Sequence, residues 1–257
     1  MAEIITKLRT ARLPVGFRAA GISSGIKENG AKDLGMVISD FPTASAATFT
    51  TNRIKAAPVR LSKRHLRHGD IRALIVNSGN ANACNGKQGF NDAKLMTQFA
   101  ASSLGLDPSQ IFVCSTGIIG YPLPVEKVQI AAPKIVKKLS VSGWRDFSQS
   151  IMTSDKVNKV SSFKTLIGGK EITVTGAAKG SGMIAPNMAT MLAFFVTDAS
   201  ISENDLREHT KRAVDDTFNC ISVDGDMSTN DTVLVLANGT AKNRLPRKGS
   251  KDSSISN

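Results

Sequence analysis

The sequence predicts an α/β fold of the mixed α+β kind, in which mixed-strand sheets are layered with helices. Short apolar runs of strand length alternate with amphipathic stretches of helix length, and glycine-rich punctuation separates them. A chain of 257 residues with 41% hydrophobic and 21% charged residues can build a globular core as one large domain or two ordinary ones. No internal repeat is present.

In chain order, Ala73 to Val76 reads as a buried strand that enters a polar Asn/Gly loop, NSGNANACNG. After Asn91 and Asp92, the residues Leu95, Met96, Phe99 and Ala100 form one helical apolar stripe. Pro108 introduces a second strand, Ile111 to Cys114. Val125, Val128 and Ile130 are spaced as in an amphipathic helix, but Pro133 lacks the amide hydrogen a helix interior uses, which predicts a kink or two helices. Trp144 and Phe147 open a further helix. Phe163, Thr165 and Ile167, then Ile172 and Val174, alternate around Gly168-Gly169, a pair that tolerates positive φ and so predicts a tight hairpin. Met191 to Thr197 reads as a buried strand, SENDLREHTKRAVDDTFN as a helix capped by Ser202 with Asp205 three residues on, and Asp231 to Gly239 as a last strand. Residues 240–257 are polar, basic and aperiodic; they bury too little apolar surface to offset their ordering entropy, and disorder is expected.

Composition narrows the function classes. No apolar run reaches the roughly 20 residues of a membrane helix, and the opening MAEIITKLRTARLPVGF suits neither a secretory leader nor a transit peptide, so the cytoplasm is expected. Cys84, Cys114 and Cys220 lack metal or disulfide spacing and are expected to be reduced and mostly buried. The net charge of +12 invites nucleic acid as a partner. Five of the basic residues crowd into the last 17 positions, however, and one Trp and one Tyr offer little for base stacking. Anionic small-molecule substrates explain the balance equally well. DGDMSTND is not a calcium loop, because its sixth position is Thr229 and its twelfth Val235. Gly180 to Gly182 lacks the setting of a dinucleotide fingerprint, and His65, His68 and His209 read as surface histidines without ligand spacing. No metal site is expected.

In KGSGMIAPNMATMLAFFVTDAS, from Lys179 to Ser200, a glycine- and proline-rich approach gives way at Ala189-Thr190 to an apolar run. A threonine hydroxyl is a poor nucleophile until something accepts its proton; cutting the preceding peptide frees the threonine's own α-amine as that base. Gly180, Gly182 and Pro186 can impose unusual backbone geometry beside such a bond, although a threonine at a strand start more often simply packs. The stretch resembles the signature of the ornithine acetyltransferase family, also called glutamate N-acetyltransferase or the arginine-biosynthesis bifunctional protein. LPVGFRAAGISSGIK, NSGNANACNG, VCSTGIIG, IMTSD and SVDGDMSTNDTVLVLANG follow in the family's order, so the resemblance runs from Leu13 to Gly239.

The resemblance implies an autoproteolytic enzyme of the N-terminal-nucleophile type, split at Ala189-Thr190 into an α-chain-like segment, 1–189, and a β-chain-like segment that begins with 190–239. Thr190 is then the nucleophile, which takes acetyl from N²-acetylornithine and passes it to glutamate, with acetyl-CoA a donor for some members. No other cofactor is implied. Thr116 and Gly117 carry over as the oxyanion hole, and Thr153, Lys179 and Thr190 as substrate contacts; Lys179 would pair with an α-carboxylate. On residue type alone, Lys179 is a solvated loop lysine and Thr153 a helix-end hydroxyl. The α and β chains are expected to associate, as a heterotetramer by resemblance. Family members carry a glutamate and C-terminal asparagine and Ser/Thr substrate contacts in a portion beyond this resemblance, so a truncated product with little activity of its own is a further expectation.

Overall fold

Alternating side chains along two sets of strands give each sheet one face for the other sheet and one for helices. A computed structural model describes residues 5–183 and 191–244. Its elements are β1 (Thr6–Lys7), β2 (Phe17–Ile22), β3 (Leu34–Ser39), β4 (Ala44–Phe49), α1 (Ala57–His68), β5 (Ala73–Asn77), α2 (Gly86–Leu104), β6 (Ile111–Ser115), α3 (Val125–Val136), α4 (Trp144–Ser150), β7 (Lys159–Ile167), β8 (Lys170–Lys179), β9 (Leu192–Thr197), α5 (Glu203–Asp216) and β10 (Thr232–Ala237). One sheet has the order β1-β7-β8-β9-β10-β4 and the other β2-β3-β5-β6. The pairs β9–β10 and β5–β6 are parallel and the other pairs antiparallel, the mixed sheets that the sequence predicts.

Phe17, Leu74 and Phe112 of the four-stranded sheet meet Leu192, Phe194 and Leu234 of the six-stranded sheet, and Trp144 and Phe147 of α4 fill the space between. Phe147 stands edge-on to Phe194 at 5.7 Å, a favoured aromatic geometry. On the outer face of the small sheet Met36 and Ile75 pack with Met96 of α2 and Val128 and Ile135 of α3. The other parity of β9 and β10, Ala193 and Val233, turns to Val214 of α5. The layers are helix, sheet, sheet, helix.

The hairpin forms as predicted: Ile167 faces Lys170, and Gly168 and Gly169 have φ of 56° and 76°. Ser202 caps α5, its Oγ accepting from Asp205 N at 3.2 Å. Other expectations are corrected. Of the two outcomes expected at Pro133, two helices are excluded: α3 is one helix, because Pro133 falls in its last turn, where its own carbonyl still accepts from Lys137 N at 3.4 Å and the chain closes with Lys138 N to Ile135 O at 3.0 Å. α2 begins at Gly86, ahead of the apolar stripe, where Asn82 Nδ2 donates to Gly89 O at 2.8 Å. His65 is buried, not on the surface, and its Nδ1 lies 2.8 Å from Ile111 O; burial lowers its pKa. Only Cys114 of the cysteines is buried; Cys84 and Cys220 are exposed. Asn243, at the start of the basic tail, is buried and accepts from Ser200 N at 2.6 Å, whereas residues 245–257 lie outside the described ones.

α4 lies directly on the backbone of β2. A Cβ at Gly21 would stand 2.0 Å from Asp146 O, and one at Gly143 1.8 Å from Ala19 O. Gly21→Ala should therefore force α4 outward and destabilise the fold by about 1–3 kcal/mol, read as a drop of several degrees in Tm by thermal denaturation.

Candidate active site

The site begins where parallel strands β5 and β6 end side by side, with Asn77 opposite Ser115. Buried asparagines supply the hydrogen bonds that regular structure no longer provides. Asn77 Nδ2 donates to Ser115 Oγ at 2.7 Å while its Oδ1 accepts from Asn80 N at 3.1 Å. Asn80 Nδ2 donates to Tyr121 O and Pro122 O, both at 3.1 Å, and its Oδ1 accepts from Asn82 N at 2.7 Å. The polar loop after β5 is thereby fastened to the turn after β6. Gly117, at φ 130°, touches the first loop so closely that a Cβ would lie 2.5 Å from Gly79 C.

Thr116 is buried, and its amide donates inward to Asn77 O at 3.0 Å. That corrects the simplest picture of a turn aiming successive amides outward. Of the expected oxyanion donors in this turn, the Thr116 hydroxyl and the Gly117 amide are the ones to consider. Both residues line a cleft of about 440 Å³ whose walls also include Thr153, Lys179 and Asn230. Four candidates from distant parts of the sequence thus reach one cavity.

Lys179 ends β8 and is only 4% exposed, which overturns its reading as a solvated loop lysine. Its Nζ donates to Thr153 Oγ1 at 3.2 Å. Burial pushes its pKa down to about 8 against the upward pull of Asp155 and Asp231. Asp155 is held by Lys159, by Gly180 N at 2.9 Å and by Thr153 N at 3.3 Å. Burial pushes its carboxyl up, but these donors outweigh that and keep it below the ordinary value. Ala189 and Thr190, the expected cleavage pair and nucleophile, lie outside the described residues; the chain resumes at Met191, whose amide donates to Asp231 Oδ1 at 3.0 Å.

Sequence reasoning missed Asn230, Asp155 and Asp231. Asn230 Nδ2 donates to Ala81 O at 2.7 Å and Ser115 O at 2.8 Å, tying the approach to β10 to both loops of the cleft. All three sit in quoted motifs, IMTSD and DGDMSTND, but nothing in the residue types marks them out from ordinary surface carboxylates and amides. Among the described residues, no group of three or more His, Cys, Asp or Glu is placed to hold a metal, and no helix is long and apolar enough to cross a membrane.

These layers are shared with a variant of the Ntn hydrolase fold: the L-aminopeptidase D-Ala-esterase/amidase of Ochrobactrum anthropi superposes with a TM-score of 0.55 at 8% identity, over 90% of this chain and 76% of that one. The arginine biosynthesis bifunctional protein of Bacillus halodurans matches with a TM-score of 0.69 and 38% identity, over 73% of this chain and 99% of its own. The arginine biosynthesis bifunctional proteins ArgJ of Caldanaerobacter subterraneus and Bacillus subtilis are 48% and 47% identical, over 92% and 90% of this chain. The sequence profile of the ArgJ family matches residues 18–255, beyond the Gly239 at which the motifs end. The chain belongs to the ArgJ family. It spans 59% and 56% of the lengths of those two curated relatives.

The buried amine has a stability consequence. In the unfolded chain Lys179 ionises near 10.5 and in the fold near 8, so stability rises with pH between those values and the burial penalty is fully present below them. Lys179→Met should stabilise the fold at pH 7 by on the order of 3 kcal/mol at most, seen as a raised Tm, and the gain should vanish above about pH 10.5. Thermal melts across that range check it.

Proposed function

We propose that this chain is the part of an acetyltransferase that carries the nucleophile, the oxyanion hole and the carboxylate anchor, and that it moves acetyl from N²-acetylornithine to glutamate. The observation that carries the reading is the convergence of Thr116, Gly117, Thr153 and Lys179 on one cleft. Self-cleavage before Thr190 supplies the base that its hydroxyl needs. Two facts support that step. The Bacillus halodurans chain is matched almost completely by 73% of this one, close to the share that residues 1–189 make up. The fold is also shared with an Ntn hydrolase.

In the proposed cycle Thr190 Oγ1 attacks the acetyl carbonyl carbon, and the negative charge that collects on the carbonyl oxygen is met by the Thr116 hydroxyl and Gly117 amide. The C–N bond breaks, the hydroxyl proton passes through the Thr190 amine to the departing ornithine nitrogen, and an acetyl-threonine ester remains. Glutamate's amine then attacks the ester, a new amide forms, and the threonine oxygen recovers a proton. Lys179 binds the α-carboxylate that both amino acids share. The solved ornithine acetyltransferase of Mycobacterium tuberculosis, 38% identical to this chain over 71% of it with a TM-score of 0.66, holds ornithine, which supports the substrate class. Acetyl-CoA is a second acetyl donor to assay. The α and β segments remain associated in this reading, in a cytoplasmic enzyme.

Mass spectrometry of the purified chain should reveal a break between residues 189 and 190, absent in Thr190→Ala; a native, fully intact parent chain contradicts the reading. Thr116→Ala should lower kcat about a hundredfold or more, the loss of one oxyanion donor, with little change in KM. Steady-state kinetics on the full-length enzyme decide this, and an unchanged kcat with a raised KM would instead make Thr116 a binding residue.

A further inference from the structure

Asp231, which precedes β10, is 1% exposed and has no part in the cycle above. Three strands meet at one level here: Lys179 of β8 stands opposite Leu192 of β9, and Leu192 opposite Thr232 of β10. Met191 therefore emerges between a buried amine and a buried carboxyl. Asp231 O accepts Thr50 N at 2.8 Å, which anchors its backbone to the end of β4, and its Oδ1 accepts Met191 N at 3.0 Å. Oδ2 is buried and has no hydrogen-bond partner among the described residues. The Ser228 and Thr50 hydroxyls lie near the carboxyl and ease its ionisation, although the Thr50 hydroxyl itself donates to Ser228 O at 2.8 Å.

An unpartnered carboxylate oxygen in this place destabilises the fold, and an asparagine or threonine would hold the same amide without burying a charge. What the Met191 amide governs is the peptide that joins it to residue 190. A peptide unit is planar, so a grip on its N–H constrains the unit as a whole. Resting on the reading of Thr190 as nucleophile, we propose that Asp231 is a positioning residue for it: its carboxylate grips the amide of Met191, the residue that follows the nucleophile.

A carboxylate accepts an N–H more strongly than a carboxylic acid does, so the grip depends on ionisation. Burial pushes the Asp231 carboxyl up to about 7, opposed by the Met191 amide, the Ser228 and Thr50 hydroxyls and the Lys179 amine from β8. Behind Lys179 stand Asp155, Lys27 and Lys159. The proposed reaction should accelerate as pH rises through that value.

The test compares this chain with Asp231→Ala, which removes the acceptor, and Asp231→Asn, which keeps one acceptor oxygen but cannot ionise. The rate at which the fragment starting at residue 190 appears is followed by mass spectrometry from pH 5.5 to 8.5, with circular dichroism as the check of folding. Asp231→Ala should slow cleavage about a hundredfold, the effect of a small misplacement of a reacting group. In the parent chain the rate should climb roughly tenfold per pH unit below 7, and in Asp231→Asn it should be slower and flat. A second readout does not depend on cleavage: in ¹⁵N-methionine-labelled Thr190→Ala, the Met191 amide resonance, assigned with Met191→Leu, should move with an inflection near pH 7, and Asp231→Asn should abolish that movement. If the parent is cut and a folded Asp231→Ala is cut equally fast, Asp231 has no positioning role while self-cleavage stands. A flat parent pH profile or a Met191 amide indifferent to pH equally overturns it. If Asp231→Ala does not fold, the pH profiles of the parent and Asp231→Asn decide. If the parent is never cut, the reading of Thr190 fails and this proposal fails with it.

Discussion

The constraint on which the rest depends is the parallel pairing of β9 with β10 in the middle of the larger sheet. Leu192 faces Thr232 on one side and Lys179 on the other, and every side chain at that level is closed in between the second sheet and α5. A central strand buried on both faces must be apolar along its length, and LAFFVT is. The same closure means that any polar group at the head of β9 is desolvated as a consequence of architecture. Lys179 and Asp231 are perturbed in opposite directions for that single reason, burial disfavouring the charged form of each.

The loops of the cleft depend on the head of this strand pair as well. Asn230, next to Asp231, reaches Ala81 O and Ser115 O, so the step into β10 is joined to the ends of the β5 and β6 segments in the other sheet. The turn containing Thr116 and Gly117 is thus held from two sides: by Asn77 and Asn80 in its own sheet and by Asn230 from the facing one. A glycine at 117 allows the two loops to touch, and side-chain amides, each with donor and acceptor ends, saturate the backbone groups that the contact buries. Rigidity of this kind would suit the oxyanion role proposed for the turn, because donors that must reorganise lose much of their effect.

Legibility in the sequence followed periodicity. The hairpin at Gly168-Gly169, the strands β5, β6, β9 and β10 and the capped helix α5 all have a regular apolar pattern or a turn whose chemistry is distinctive. Strands β2 to β4 passed unnoticed because FRAAGI and ASAATF are rich in alanine, glycine and serine, and LGMVIS is buried on both faces, so none shows a clear alternation; Gly21 and Gly35 are small where α4 presses close. α1 was hidden by its charge, since APVRLSKRHLRH buries Val59, Leu61 and His65 along one face of a strongly basic segment. Of the site, Thr116, Gly117, Thr153 and Lys179 came from resemblance, and their convergence could not be read from spacing, because the contacts that create it join residues tens of positions apart. Asp155, Asn230 and Asp231 gave no signal of their own: burial is what makes an ordinary carboxylate or amide consequential, and burial is a property of the sheets.

The electrostatics of the cleft favour an incoming anion for a reason that net charge does not capture. Asp155 is the acidic group whose attraction acts most strongly on Lys179, but its carboxylate already serves Lys159 and the amides of Gly180 and Thr153. Lys179 itself is hydrogen-bonded to a neutral hydroxyl, that of Thr153. The attraction of Asp155 and Asp231 offsets only part of the desolvation of this ammonium, so a carboxylate arriving within about 4 Å would gain several times what it would in bulk water. Desolvating the ligand's own carboxylate offsets part of this, and that part is smaller in a cleft that stays open to solvent on one side. The +12 of the whole chain attracts anions from a distance and is screened beyond about 8 Å at physiological salt. Selection of a carboxylate of one particular shape must come from the short-range term, from one buried amine set beside the Thr116–Gly117 turn.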